Sequence, residues 1–383
     1  MSMFPERLLQ KINDRIENNA LRSLPCNEGK IDFASNDYLG FSRSETIFNA
    51  VSELMRNTGV PQNGATGSRL LSGNHQLYAQ LEGVLCDFHK SPAAVVFNSG
   101  YDANIGFFSC IPQRGDVVLY DELIHASIRD GIQMSNSRAY KFRHNDLVHL
   151  KELLSRHAKE GREVYVATEA VFSMDGDSPD LLNMVEIVKQ FGAYLVVDEA
   201  HAIGVFGNKG EGLIQQLSLQ DQVFARIVTF GKALGSHGAA VLGNEALKSY
   251  LVNFARSFIY TTALPPHSVA TVLVTYRFAV TSGITDSLNE LRNNISRFRL
   301  RAEVLGLKLR FIESNSPIQC CLISGNQKVK SIASKLGEKG FDVKPIMSPT
   351  VAEGEERLRF CLHSYNSGEE ISEVLSLLAT FVH

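Results

Sequence analysis

Tyr194-Leu-Val-Val-Asp198-Glu-Ala-His201, followed after an intervening segment by Arg226-Ile-Val-Thr229-Phe-Gly-Lys232, decides the reading of the fold. Each half is a short, β-branched apolar run that stops at polar or small residues, the pattern of a buried strand. Ala94-Val-Val-Phe97, Val117-Val-Leu-Tyr120, Val164-Tyr-Val-Ala167 and Ala239-Ala-Val-Leu242 repeat it. The segments between these runs are long enough for helices. From about residue 45 to 280 the alternation therefore predicts an α/β fold with a mostly parallel central sheet and helices on both faces. Taken alone, either half is also what an ordinary buried strand with polar ends looks like. Together they bring a carboxylate, an imidazole and an amine to one rim of a sheet.

Outward from this centre, residues from about Glu6 to Leu21 follow a helical rhythm and lead into a short strand at Ile31-Asp-Phe-Ala-Ser-Asn-Asp-Tyr-Leu-Gly40. Beyond Asp286, a charged helical stretch (Leu288 to Val304) precedes Ile318-Gln-Cys-Cys-Leu-Ile323, a helix near Val329 to Lys339, strands at Phe341-Asp-Val-Lys344 and Arg357-Leu-Arg-Phe-Cys-Leu362, and a last helix. The expected organisation is an N-terminal arm over 1–45, a large domain over 46–285 and a small α+β C-terminal domain over 286–383.

Composition narrows the function classes. With 383 residues, 44% hydrophobic and 21% charged, the chain can bury a large core, and a net charge of -3 without like-charge runs gives no reason to expect nucleic acid. No segment reaches the ~18 to 20 apolar residues of a membrane span, and Met1 to Gln10 does not read as a secretory signal. A cytoplasmic location, with no membrane partner, is the expectation. The six cysteines, at 26, 86, 110, 320, 321 and 361, have neither zinc nor redox spacing and read as free, mostly buried thiols. The eleven histidines lack the pairing of a metal-binding helix, so no metal is assigned.

In open α/β sheets, ligands bind beyond the carboxyl ends of the strands, so chemistry is sought in those loops. Phe97-Asn-Ser-Gly100-Tyr101-Asp-Ala-Asn104 follows a strand and opens a helix, whose first amides suit a phosphate. Asn-Ser-Gly is also a common strand-to-helix turn. Thr229 offers a hydroxyl three residues before Lys232. His125, in Asp121-Glu-Leu-Ile-His-Ala-Ser, reaches the same rim, where its ring could stack on a heteroaromatic ligand or simply start a helix. Ser173 and Asp175 follow another strand, in a segment that plain loop punctuation also explains. The glycine-dense Gly64 to His75 lacks the preceding strand of a dinucleotide fingerprint and reads as a mobile or ligand-covering loop. Arg357 and Arg359 could fork a substrate carboxylate or sit solvated on a surface strand. A lysine that can hold an aldehyde, and an acid that can keep a pyridine nitrogen protonated, are the groups required by pyridoxal 5'-phosphate (PLP).

The motifs Ser35-Asn-Asp-Tyr-Leu-Gly40, Gly64 to Gly73, Asn98-Ser-Gly-Tyr101, Phe172-Ser-Met-Asp-Gly-Asp177, Val197-Asp-Glu-Ala-His201, Thr229-Phe-Gly-Lys232 and Tyr260-Thr-Thr-Ala-Leu-Pro-Pro266 together resemble the PLP-dependent α-oxoamine synthases over nearly the whole chain. The resemblance implies the fold type I architecture, a homodimer with sites at the subunit interface, and condensation of an amino acid with an acyl thioester of coenzyme A or acyl carrier protein. By the same resemblance Lys232 is the Schiff-base lysine, Asp198 the partner of the pyridinium nitrogen, His201 the neighbour of the ring hydroxyl, and His125 the stacking ring. Ser99, Gly100, Tyr101, Ser173 and Thr229 become cofactor contacts, and Thr262 a phosphate contact from the other subunit. Arg359 would hold the amino-acid carboxylate, and Arg22, Asn36 and Thr350 would meet substrate. The sequence departs from the family's pattern at Thr66, at Ser236 to Ala240 and at His363 to Asn366, which implies altered surroundings for the acyl substrate.

Overall fold

The computed structural model describes residues 4–22, 24, 29–60, 62–159, 161–281 and 283–382. In chain order the strands are β1 (Ile31–Asp32), β2 (Ala93–Phe97), β3 (Val117–Asp121), β4 (Arg138–Phe142), β5 (Val164–Glu169), β6 (Tyr194–Asp198), β7 (Ala225–Thr229), β8 (Ala239–Gly243), β9 (Ile318–Leu322), β10 (Phe341–Asp342), β11 (Lys344–Ile346) and β12 (Arg357–Cys361).

Two compact units result. The larger comprises Asn36–Ser173 and Ser178–Asn289; the smaller comprises Met1–Ser35, Met174–Asp177 and Glu290–His383. This differs from the three-part expectation of 1–45, 46–285 and 286–383. Strand β1 pairs in parallel with β10 through Ile31 and Phe341, which groups the chain before Asn36 with the C-terminal segment.

The larger unit is built on a seven-stranded sheet of order β2-β8-β7-β6-β5-β3-β4. The run from β7 through β6, β5, β3 and β4 is parallel, while β8 runs antiparallel to both neighbours. Strands β2 and β5 are buried along their whole length, and β3 and β6 nearly so, as apolar runs covered on both faces should be. Phe97, Phe107, Phe108, Tyr165, Val196, Ile227 and Val241 belong to the core packed against one face. Strand β4, Arg138-Ala-Tyr-Lys-Phe, escaped the sequence reading because it is a mostly exposed edge with two cationic side chains, a common protection against edge pairing.

In the smaller unit β11, β12 and β9 form an antiparallel sheet. The helix Gly368–Val382 buries Ile371, Val374, Leu375, Leu378 and Val382, the 3.6-residue stripe of an amphipathic helix. The single expected strand at Phe341 to Lys344 divides into β10 and β11, which pair with different partners. Cys86 and Cys110 are half-buried and Cys320, Cys321 and Cys361 buried, all as free thiols, while Cys26 lies outside the described residues. Among the described residues no helix is long and apolar enough to cross a membrane.

Candidate active site

Parallel strands β5 and β6 place Glu169 opposite Asp198 in register at their carboxyl ends. Asp198 is 6% exposed, and each of its oxygens is held: Oδ2 by the side-chain amide of Asn104 at 2.8 Å, Oδ1 by the backbone N–H of Ala200 at 2.8 Å. Three residues on, buried His201 places Nδ1 2.7 Å from the hydroxyl of Tyr38, which in turn donates to Oδ1 of Asn36 at 3.2 Å.

Lys232 is half-buried in the connection that turns β7 back into antiparallel β8. That turn is closed by its own backbone: Phe230 N–H donates to Gly238 C=O at 2.9 Å, Ser236 N–H to Phe230 C=O at 2.8 Å, and Gly235 N–H to Lys232 C=O at 2.8 Å. Gly235 has φ 58°, and a Cβ there would run into the backbone of Phe41 and Ser42. A side chain at 235 would therefore displace the loop that holds the lysine.

His125 caps the helix Ala126–Met134 just past β3. Its Nδ1 lies 2.7 Å from the Ser127 hydroxyl and accepts from Ser127 N–H at 3.2 Å, while its own backbone N–H donates to Oε1 of buried Glu169 at 2.5 Å. The residue is exposed at its open side, yet burial of the rest lowers its pKa; Lys232 and Arg129 act in the same direction, and Asp198 and Asp130 oppose them. Burial, followed by the Asp198 charge, pushes the Glu169 carboxyl up to about 8, against the pull of Lys232 and of the His125 amide. Lys232, Asp198, His125 and Glu169 thus feel one another's charges at one rim.

The phosphate end expected from the sequence is the N-terminus of the helix Gly100–Cys110. Ser99 caps it, accepting from Asp102 N–H at 3.0 Å, and a Cβ on Gly100 would sit 3.6 Å from Oγ1 of Thr229. First-turn amides and a hydroxyl therefore converge close to the loop of the lysine. Tyr101 is exposed, with its hydroxyl donating to Asp130 at 2.7 Å, and Ser173 is half-buried at the end of the segment after β5. Asn98 donates to Thr261 Oγ1 at 3.1 Å and to the Thr262 carbonyl at 2.6 Å, leaving the Thr262 residue itself exposed. The glycine-dense segment before it is anchored rather than loose. Arg69 pairs with Glu82 at 2.6 Å and lies 3.9 Å from the Tyr78 ring centroid, and Gly67 C=O accepts from Ala263 N–H at 3.0 Å.

Within the smaller unit the two arginines of β12 separate. Both are buried, which removes the solvated-surface reading. Arg357 forms an ion pair with Asp175 and donates to Glu355 C=O at 2.8 Å; Arg359 lies opposite Cys320 in the sheet and donates to Cys361 Sγ at 2.9 Å. Arg357 is thus neutralised as part of the packing, and Arg359 is the candidate fork. Arg22 and Thr350, both exposed, meet through Nη2 and Oγ1 at 3.3 Å. His363 and Asn366, where the sequence departs from the family's pattern, are buried: Asn294 donates to both of their carbonyls, at 2.9 and 2.7 Å, and His363 lies 3.1 Å from Ser35 Oγ. Tyr365, between them, is exposed.

Sequence reasoning left Tyr38, Asn104, Ser127 and Glu169 without roles. The available signal was polarity out of place: Glu169 ends an otherwise apolar strand, and Asn104 lies among Ala103, Gly106 and Phe107 on a buried helix face.

Glu169 carries a stability consequence. The unfolded chain releases this proton near 4.5 and the folded chain near 8, so the folded state holds the extra proton between those values. The contribution of Glu169 to stability is full below about 4.5 and is lost as pH rises toward about 8. Glu169→Gln removes this titration. The thermal midpoint of the cofactor-free variant should fall less than that of the parent between about pH 5 and pH 8; equal slopes in circular-dichroism melts would contradict the assignment.

Residues 28–378 match the family described as aminotransferase class I and II. An 8-amino-7-oxononanoate synthase of Emericella nidulans is 40% identical over 98% of this chain and 94% of its own length. The corresponding enzyme of Saccharophagus degradans is 37% identical over 91% of this chain and 86% of its own. Among solved structures, an 8-amino-7-oxononanoate synthase from Francisella tularensis has a TM-score of 0.78 at 29% identity, covering 93% of this chain and 98% of that one. A Sphingomonas wittichii serine palmitoyltransferase has a TM-score of 0.89 at 26% identity, covering 98% and 96%.

Proposed function

The chain belongs to the class I and II aminotransferases and, among them, to the PLP-dependent α-oxoamine synthases, and from that premise we propose that it condenses L-alanine with a pimeloyl thioester to give 8-amino-7-oxononanoate for biotin synthesis. The Cα–H proton of alanine is removed, a bond forms between that carbon and the thioester carbonyl carbon as the C–S bond breaks and the thiol of coenzyme A or carrier protein leaves, the alanine carboxylate departs as CO2, and the α-carbon takes up a proton in its place. The observation that carries this reading is the rim where Lys232, Asp198 and His125 interact, in a chain 40% identical to a synthase of this name. The serine palmitoyltransferase likeness reflects an architecture that the sister enzymes share.

The residues fit PLP. Lys232 would hold its aldehyde, the first turn at Gly100 and Tyr101 with Ser99 and Thr229 would take its phosphate, and Asp198 would meet its ring nitrogen. Once bound, the ring supplies an electron sink for the carbanion at the alanine α-carbon. The chain's own part is to keep that sink protonated and to move the proton. Asp198, gripped on both oxygens, would present its carboxylate to the nitrogen. The Lys232 amine would serve as the base that removes the α-proton. His125 would cover the ring, and His201, held by Tyr38, would meet the ring hydroxyl. Ser173 adds a cofactor contact, Arg359 forks the alanine carboxylate, and Asn36 adds a polar contact to substrate. A cytoplasmic homodimer, with Thr262 of each copy reaching the other's phosphate, completes the reading.

The far carboxylate of a pimeloyl chain needs a cationic or polar partner, which the exposed pair Arg22 and Thr350 supplies. Release of thiol from pimeloyl thioester should be fastest with L-alanine among alanine, serine and glycine. Arg22→Ala should raise KM for the pimeloyl thioester about tenfold, the cost of one charge-assisted hydrogen bond, and leave an uncharged acyl analogue unaffected. Faster turnover with serine or glycine, or equal losses for both acyl chains, would assign the chain to a sister reaction.

A further inference from the structure

A continuous polar chain runs beneath the rim. Asn104, 2% exposed, sends one amide hydrogen to Oδ2 of Asp198 at 2.8 Å and the other to Oγ of Ser127 at 3.0 Å; the Ser127 hydroxyl lies 2.7 Å from Nδ1 of His125. The amide orientation is forced, because the reverse would set its oxygen against the Asp198 carboxylate. The Asn104 oxygen is buried and no protein group among the described residues hydrogen-bonds to it, consistent with an amide held by its two donor hydrogens alone. Ser127 Oγ, already an acceptor, has one hydrogen to give. Nδ1 also faces the Ser127 backbone N–H at 3.2 Å, so it is met by two donors and must be the unprotonated nitrogen.

We propose that Asn104 and Ser127 are positioning residues that relay the hydrogen-bond orientation imposed by Asp198 to His125 and lock its imidazole as the neutral tautomer carrying hydrogen on Nε2. This rests on the reading of Asp198 and His125 as the groups that flank the cofactor ring, but not on the identity of the substrates. In the relay, Asp198 orients Asn104, Asn104 orients the Ser127 hydroxyl, and that hydroxyl fills the lone pair of Nδ1. The stacking ring therefore presents a hydrogen-bond donor, not a cation, beside an electron sink that must stay protonated. Depression of the His125 pKa by burial acts in the same sense. The other charged groups around this ring are Lys232 and Arg129, which favour the neutral form, and Asp198 and Asp130, which oppose it; Glu169 accepts from the backbone.

The test is nitrogen-15 NMR of the full-length protein with labelled histidine, His125 being assigned by its loss in His125→Gln. In the parent protein the His125 pattern should be that of unprotonated Nδ1 and protonated Nε2 across neutral pH, a result that needs no further variant to fold. Ser127→Ala and Asn104→Ala should each move the His125 titration midpoint upward toward the ordinary histidine value. The double variant should shift it no further than Ser127→Ala alone, because links in series are not additive. Hydrogen on Nδ1 in the parent, an unmoved midpoint in both single variants, or additive shifts would overturn the relay. Each of these outcomes is read without turnover, so failure here is separable from failure of the alanine and pimeloyl assignment.

Discussion

Lys232→Ala should abolish covalent retention of PLP and reduce turnover to background. The lysine is held in the β7–β8 turn by three backbone hydrogen bonds, and its charge is felt by both His125 and Glu169 at the rim. Lys248 is otherwise engaged, its amine forming an ion pair with Glu82 at 2.8 Å. Losing both the covalent anchor and the base that moves the α-proton removes two contributions at once; general-base removal alone is worth about a hundred- to ten-thousandfold. After borohydride reduction and proteolysis, mass spectrometry should find the pyridoxyl group on the peptide containing Lys232 in the parent and on no lysine peptide in the variant. Recovery of the group on Lys209 or Lys248 would end the assignment.

Asp198→Asn should keep the fold and lose most of the rate. The amide is nearly isosteric and retains an oxygen to accept from Asn104 or Ala200, so packing survives. It cannot hold a buried pyridinium as an ion pair. Removing one member of such a pair costs ~3 to 5 kcal/mol, which as barrier height is roughly a hundred- to several-thousandfold in kcat. A melting temperature close to the parent's with this loss of kcat separates electronics from folding. Near-parental kcat would show that Asp198 does not serve the ring nitrogen.

How much of this was legible in the sequence depended on whether a residue's chemistry is carried by chain order. The apolar runs that end at Asp198 and Thr229 announced their strands, because two-sided burial leaves few residue types able to occupy them. Edge strand β4 was hidden by its own exposure, since Arg138 and Lys141 face solvent. The residues proposed to hold the cofactor were legible as a set, through the resemblance more than through spacing. Their supports were not: Asn104 and Ser127 are 23 residues apart, and Glu169 meets Asp198 only because β5 and β6 pair in that register. Arg357 and Arg359 look equivalent by spacing; the resemblance singles out Arg359, and in the structure the ion pair of Arg357 with Asp175 separates the two. For His363 and Asn366, chain order showed a departure from a motif but not the hydrogen bonds to Ser35 and Asn294 that hold them.

The most direct measurement of the central claim follows the carbon atoms. Purified protein with PLP and a pimeloyl thioester is given L-alanine labelled with carbon-13 either at the carboxyl or at the methyl position, and the products are read by mass spectrometry. Decarboxylative condensation predicts 8-amino-7-oxononanoate that retains the methyl label and has lost the carboxyl label to CO2, with one thiol released per product. Retention of the carboxyl label in the product, or formation of an amino ketone from serine or glycine but not from alanine, would contradict it.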